Sequence, residues 1–346
     1  MQTQRDPLAG KIPVTLITGF LGSGKTTLIS KLVRHPEMQG AAVVINEVGE
    51  IGIDHDLVTL SSENITLLAN GCICCSVRTD LQETLRDLFA RRRSGELPDF
   101  DRVIVETTGL ADPAPVVQTL SSDTLLAAQF RLDGLVTLVD AVNAQHQLEH
   151  QSEAVKQIAL ADRIFITKSD LVESASMAAL QQAVHAINPG AEQTLIVQGE
   201  IEPKLLIGLG LASARASQAT LSFLGESLEK TKETPARYLG DKALQHDPRI
   251  KTVSLRFDKA FTWATFSAAM ELLTTLRGPD MLRVKGIVNV EGNPVVVQGV
   301  QHIFHPPVTL DRWPSADTGT RLVFITRNIE AATIRNLLTA VSDMTT

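Results

Sequence analysis

Short apolar, β-branched runs alternate with stretches of helical period over the first two-thirds of the chain. Residues 14–18, 41–46, 102–106, 134–140, 163–167 and 193–198 read as buried strands, and residues 26–33, 79–93, 114–129 and 174–187 as the helices between them. Strand and helix in alternation predict an α/β fold, a doubly wound and mostly parallel sheet. That domain is expected to span residues 1–215. A polar stretch near 225–247, rich in Lys and Glu and containing Pro235, marks a linker over 216–248. Beyond it, strands at 251–258, 281–291, 294–300, 302–304 and 321–326 and a helix at 262–276 predict a smaller α+β domain over 249–346.

The turn after the first strand carries chemistry. Gly19-Phe20-Leu21-Gly22-Ser23-Gly24-Lys25-Thr26, followed by Thr27, fits G-x-x-x-x-G-K-[ST] with a strand before it and an amphipathic helix after it. Glycines let backbone N–H groups close around phosphate oxygens, Lys25 reaches the β and γ groups, and the Thr26 hydroxyl can ligate magnesium. The sheet is therefore expected to be of the P-loop NTPase type. Glu106, at the carboxyl end of a neighbouring strand, is placed for the magnesium ion or its waters, although it would also serve to cap the following turn. Gly109 can turn its N–H toward a γ-phosphate. Thr167-Lys168-Ser169-Asp170 then follows the N-K-x-D pattern that reads guanine, with the Asp170 carboxylate accepting the two N–H groups on the guanine edge. Thr167 stands where that pattern has Asn, which weakens one base contact or one brace to the phosphate loop.

About 50 residues past the phosphate loop, Asn70-Gly71-Cys72-Ile73-Cys74-Cys75 holds all three cysteines of the 346-residue chain. Clustering of that kind points to shared coordination of one ion. Adjacent cysteines rarely meet disulfide geometry, and three thiols behind no secretory leader suit a cytosolic protein. In an extended segment Cys72 and Cys74 project to one side and Cys75 to the other, so two thiolates share the ion and the third packs or joins after rearrangement. Zinc or cobalt wants about four donors, and the nearest oxygen candidates are Glu47 and Glu50. The alternative is three small buried hydrophobes. Asp54 lies in the same segment and either orients an attacking water or forms a turn.

Charge and hydropathy narrow the remaining classes. A formal net charge of −7 gives no field favouring nucleic acid, and Arg91-Arg92-Arg93, flanked by Asp87 and Glu96, reads as a solvated helix end. No apolar run reaches the roughly 18 residues of a membrane span, and the first residues lack a basic segment followed by an apolar one. The expectation is a cytoplasmic protein with neither nucleic acid nor membrane as partner. Monomer and dimer stay equally open. His302 and His305 read as surface or half-buried imidazoles, and His35, His55, His146, His150 and His185 have no spacing that compels ligation.

Taken in order, GFLGSGKTT, NEVGEIGID at 46–54, NGCICC, ETTGLADP and TKSD resemble the CobW-type metallochaperone GTPases, relatives of the nickel and cobalamin accessory GTPases. LRVKGIVNVEG, VQGVQHIF and RLVFI resemble that family's small appended domain. The resemblance implies GTP hydrolysis coupled to binding of zinc or cobalt and its delivery to a client protein, with GTP, GDP and magnesium as ligands. The His-rich linker common in that family is absent here, since 225–247 contains only His246. Two rival classes share the same motifs: a small-molecule kinase, which leaves TKSD without a role, and a metal-binding module that hydrolyses nothing. In the GTPase case the γ-phosphate and magnesium order residues 46–54 and bring Glu47 toward the cysteines, so metal affinity follows the nucleotide state.

Overall fold

The computed structural model describes residues 10–45, 58–61, 65–68, 73–76, 80–209 and 250–343. They fall into two compact units, residues 10–181 with 191–209 and residues 182–190 with 250–343. The expected linker, 216–248, lies outside the described residues.

The first unit is built on one sheet of β1 (Ile12–Gly19), β2 (Ala41–Ile45), β3 (Val58–Ser61), β4 (Ile65–Leu68), β5 (Ile73–Ser76), β6 (Arg102–Glu106), β7 (Phe130–Asp140), β8 (Arg163–Thr167) and β9 (Glu192–Leu195). Their spatial order is β3-β4-β5-β2-β6-β1-β7-β8-β9, with every pairing from β5 to β9 parallel. The parallel strands read as unbroken apolar runs because helices cover both faces, and every residue of β2 and β8 is buried. Strands added after β1 lie to one side of it until β6, and those from β7 onward lie to the other. That reversal puts a crevice beyond the carboxyl ends of β6, β1 and β7, where open α/β sheets bind ligands. An antiparallel hairpin, β3 and β4, extends the sheet past β5. It was not expected from sequence.

Helix α1 (Lys25–Leu32) starts directly at the phosphate loop. Its Leu28, Ile29 and Leu32 are buried against Ile17, Val43, Ile104 and Leu138, each worth about 1.5–3 kcal/mol, which fixes the helix and hence the loop. Helix α2 (Leu81–Ser94) is capped by Asp80, whose side chain accepts from the Gln82 N–H, and ends at Gly95 in the left-handed region. Its arginines are occupied, Arg91 with Asp87 and Glu96, and Arg92 with Asp99 and the Phe100 ring. The single helix expected over 114–129 is two, α3 (Ala114–Ser122) and α4 (Thr124–Gln129). Asp123 divides them because its extended backbone ends the first, while its carboxylate accepts from the N–H groups of Leu125 and Leu126 and caps the second. Helices α5 (Ala144–His150) and α6 (Ser152–Leu160), between β7 and β8, were not singled out in the sequence, whereas α7 (Ser174–Ile187) follows the expected bounds.

In the second unit β10 (Ile250–Phe257), β11 (Arg283–Val290), β12 (Asn293–Val300), β13 (Ile303–Phe304) and β15 (Thr320–Arg327) form an antiparallel sheet ordered β10-β15-β11-β12-β13, with β14 (Val308–Thr309) also paired to β12. Leu255, Val284, Val288, Leu322 and Phe324 from one face pack with Phe266, Met270 and Leu273 of α8 (Trp263–Arg277) and with Ile334 and Leu338 of α9 (Ala331–Asp343). Helix α9 and strand β14 had not been expected. Among the described residues no helix is long and apolar enough to cross a membrane.

Candidate nucleotide site and cysteine motif

Five residues separate β1 from α1, and backbone geometry decides which types fit there. Gly24, the cap of α1, sits at φ +92°, a conformation open to glycine at little cost. The Ser23 N–H donates to the Phe20 carbonyl at 3.1 Å, closing the loop, and the Lys25 ammonium folds back over it, 3.0 Å from Gly19 O and 3.4 Å from Phe20 O. Lys25 is buried, with Thr26 and Thr27 exposed beside it. A buried cation folded over a glycine-bearing loop at the N-terminus of a helix is an arrangement that suits phosphate oxygens.

Glu106 is completely buried and stands in register with Ile17 of β1 on one side and Ile45 of β2 on the other. Its successor Thr107 ties the strand end to β1, donating its N–H to Ile17 O at 2.9 Å and its hydroxyl to Thr18 Oγ1 at 2.8 Å. The exposed Thr26 hydroxyl and the Glu106 carboxylate are hard oxygen donors, the kind that magnesium prefers, so these residues fit that ion. Gly109 approaches the loop closely: a β-carbon there would lie 2.6 Å from Leu21 Cδ2 and 2.9 Å from the Leu21 nitrogen. Only glycine allows the segment after β6 to rest on the phosphate loop in this way.

Two side chains that the sequence did not flag hold that segment. Gln157 of α6, almost fully buried, donates its side-chain amide to Gly109 O at 3.2 Å and Ala111 O at 3.1 Å, and its backbone carbonyl accepts from Thr137 Oγ1. Lys156 pairs with Asp112 at 2.5 Å, whose other oxygen accepts from the Ala114 N–H at 3.1 Å. The only signal in the sequence was a polar residue inside an otherwise apolar stretch.

The Thr167-Lys168-Ser169-Asp170 segment meets the glycine-rich loop through Thr167. Its buried hydroxyl donates to the Ser23 carbonyl at 2.9 Å and lies 3.3 Å from Val139 O, so the brace that Asn would supply in the usual pattern is made here by threonine. Lys168, left-handed at φ +55°, reaches Asp140 at the end of β7 at 2.7 Å. Asp140, also not foreseen, is fully buried and accepts further from Asn143 Nδ2 at 2.7 Å and the Val142 N–H at 3.0 Å. Burial pushes its carboxyl up, but the hydrogen bonds from Lys168, Asn143 and Val142 together with the Lys168 charge outweigh that and hold it below the ordinary value. Asp170 lies exposed in the short 3₁₀ turn Ser169–Leu171.

Of the metal candidates, Cys74 and Cys75 are successive residues of β5, in register with Val43 and Val44 of β2. Cys72, Glu47, Glu50 and Asp54 lie outside the described residues. Among the described residues no cluster of three or more His, Cys, Asp or Glu is placed to hold an ion. His302 is exposed and packs at Gly278, and His305 is half-buried on the sheet edge, its N–H donated to Gln298 O.

Comparison with known proteins bears on both units. Residues 13–194 match the model of the CobW/HypB/UreG nucleotide-binding domain, and residues 250–342 that of the cobalamin synthesis protein cobW C-terminal domain. The zinc chaperone YjiA of Escherichia coli is 34% identical over 317 residues, covering 91% of this chain and 93% of that protein. The zinc chaperone CobW of Pseudomonas aeruginosa is 30% identical, covering 95% and 91%. The crystal structure of the Zn(II)-bound YjiA GTPase from E. coli superposes with a TM-score of 0.72 at 29% identity, covering 96% of this chain and 99% of that one.

Proposed function

The chain belongs to the CobW/HypB/UreG family, with the CobW C-terminal domain following, and from that premise we propose that it is a zinc-handling GTPase whose bound nucleotide gates a cysteine-rich metal site and which passes the metal to a client metalloprotein in the cytoplasm. GTP is hydrolysed to GDP and phosphate. Lys25 and the loop N–H groups grip the phosphates, Thr26 and Glu106 hold magnesium, and Asp170 reads the guanine edge. Magnesium supplies positive charge against the phosphates when bound. Gly19, Gly22, Ser23, Gly24 and Thr27 complete the cradle, with Gly109, Thr167 and Lys168 keeping its walls in place.

One observation carries the coupling. Strand β2 lies between β6 and β5, and its last residue, Ile45, is in register with Glu106 on one side and Ser76 on the other. The chain therefore enters residues 46–54 between the magnesium carboxylate and the strand of the cysteine motif. A segment starting there is within reach of both, so an oxygen donor from it, Glu47 first, can join Cys72 and Cys74 when the γ-phosphate orders it. Zinc, with cobalt as its chemical analogue, is the cargo; Cys75 joins or packs. By linkage, zinc tightens GTP binding by the same factor that GTP tightens zinc binding.

Single-turnover phosphate release with GTP and with ATP, each with and without zinc, tests the proposal. Release from GTP but not ATP, altered by zinc, is expected. Equal release from both nucleotides would favour a phosphotransferase, and no release with undiminished zinc binding would leave a metal-binding module.

A further inference from the structure

The sequence gives His146 and His150 no compelling relation, because four residues apart means nothing until the local conformation is known. In the structure both lie on α5, one turn apart on the same face, and both are exposed. Their rings stack with centroids 4.4 Å apart and planes 18° from parallel. The His150 Nδ1 lies 3.0 Å from the His146 backbone carbonyl, an atom that only accepts, so Nδ1 is the donor there and Nε2 is the nitrogen left out of that bond. A ring nitrogen donated to a backbone carbonyl while the other stays bare is the form in which imidazole ligates a metal.

We propose that His146 and His150 form a second, two-imidazole site for zinc or a similar divalent transition metal, separate from the cysteine motif and indifferent to the bound nucleotide. A tetrahedral ion at about 2.0–2.1 Å from each nitrogen needs the two nitrogens roughly 3.3 Å apart with both lone pairs converging on it, so the exposed rings must turn out of their stack to chelate, a change open to two solvent-facing side chains one helical turn apart. No third His, Cys, Asp or Glu among the described residues stands close enough to close the site. Two positions thus remain for water or for a donor brought by another molecule. Closed four-ligand sites hold zinc structurally, whereas an open one exchanges it, so this pair suits collection or hand-off of metal at the surface. The inference does not rest on GTP hydrolysis.

The test uses the full chain with Cys72, Cys74 and Cys75 all changed to serine, titrated with zinc against a chromogenic chelator in the presence of GDP and of a slowly hydrolysed GTP analogue. One zinc equivalent of equal affinity in both nucleotide states is expected. His146→Ala or His150→Ala should each weaken it at least about tenfold by removing one of two protein donors, while His185→Ala, an exposed imidazole on α7, should leave it unchanged. The same two substitutions should remove one zinc equivalent from the cysteine-intact protein. Absence of the equivalent from both proteins, its persistence in both histidine variants, or equal loss in His185→Ala would overturn the proposal.

Discussion

Thr167→Val isolates the contact by which the base-reading strand supports the phosphate loop. Valine keeps nearly the same shape but donates nothing, so the Ser23 carbonyl loses the 2.9 Å bond from a site buried to 5% exposure. Leaving a buried acceptor unsatisfied costs about 1–3 kcal/mol. Gly24, whose left-handed backbone caps α1, lies against the same side chain, a β-carbon there being 3.8 Å from Thr167 Cγ2, so the lost bond acts on the loop residue that starts the helix. If the penalty falls on the gripping conformation, nucleotide affinity drops by about five- to 150-fold, since each 1.4 kcal/mol is tenfold. GTP and GDP should weaken by similar factors, because the brace acts on the loop backbone at Ser23 whichever nucleotide is bound. Displacement of a fluorescent guanine nucleotide measures this directly, with a melting curve to confirm folding. A folded variant binding both nucleotides within twofold of the parent would refute the brace.

Lys25→Ala should cut single-turnover GTP hydrolysis at least about 100-fold with the fold retained, because the buried ammonium over the loop, proposed to grip the phosphates, is lost; near-normal phosphate release would reject the loop assignment. Asp170→Asn should shift nucleotide preference from guanine toward xanthine, whose added carbonyl accepts from the new amide, and equal competition by ATP and GTP in the parent would contradict base reading by Asp170. Asp140 has a folded-state pKa below its ordinary 3.8, so its contribution to stability is complete above that value and lost as pH falls through the lowered one. Melting temperature should accordingly fall less steeply below about pH 4 in Asp140→Asn than in the parent, and parallel acid limbs would show that the Lys168 pair contributes nothing.

The phosphate loop, the Glu106 strand and TKSD were legible because each combines a continuous apolar run with polar groups at its carboxyl end, and that pattern is local. Asp123 shows where locality ends: aspartate is tolerated inside a helix and favoured at a cap, and only the Arg86 and Gln82 contacts to its buried carboxylate settle which role it takes. Gln157 lies where no helix was expected from the sequence, and it is buried with its amide on the carbonyls of Gly109 and Ala111, 48 and 46 residues earlier. Asp140 closes a similarly distant pair with Lys168. The linked histidines of α5 were missed for the opposite reason, a local spacing with no helix assigned to give it meaning. Residue type announces these chemistries; partners brought in by the sheet order decide them.

Cobalt(II) spectroscopy tests the central claim, nucleotide gating of the cysteine site, most directly. With a slowly hydrolysed GTP analogue and magnesium, tetrahedral absorption and thiolate charge-transfer bands should develop, because Cys72 and Cys74 supply sulfur and the segment entered from Ile45 supplies oxygen. With GDP those bands should weaken or vanish. Serine at Cys72 or Cys74 should abolish them, serine at Cys75 should act more mildly, and Glu47→Gln should chiefly erase the difference between nucleotide states. Identical cobalt spectra and affinity in the GTP-analogue and GDP forms would contradict the account, even in a protein that binds and hydrolyses GTP normally.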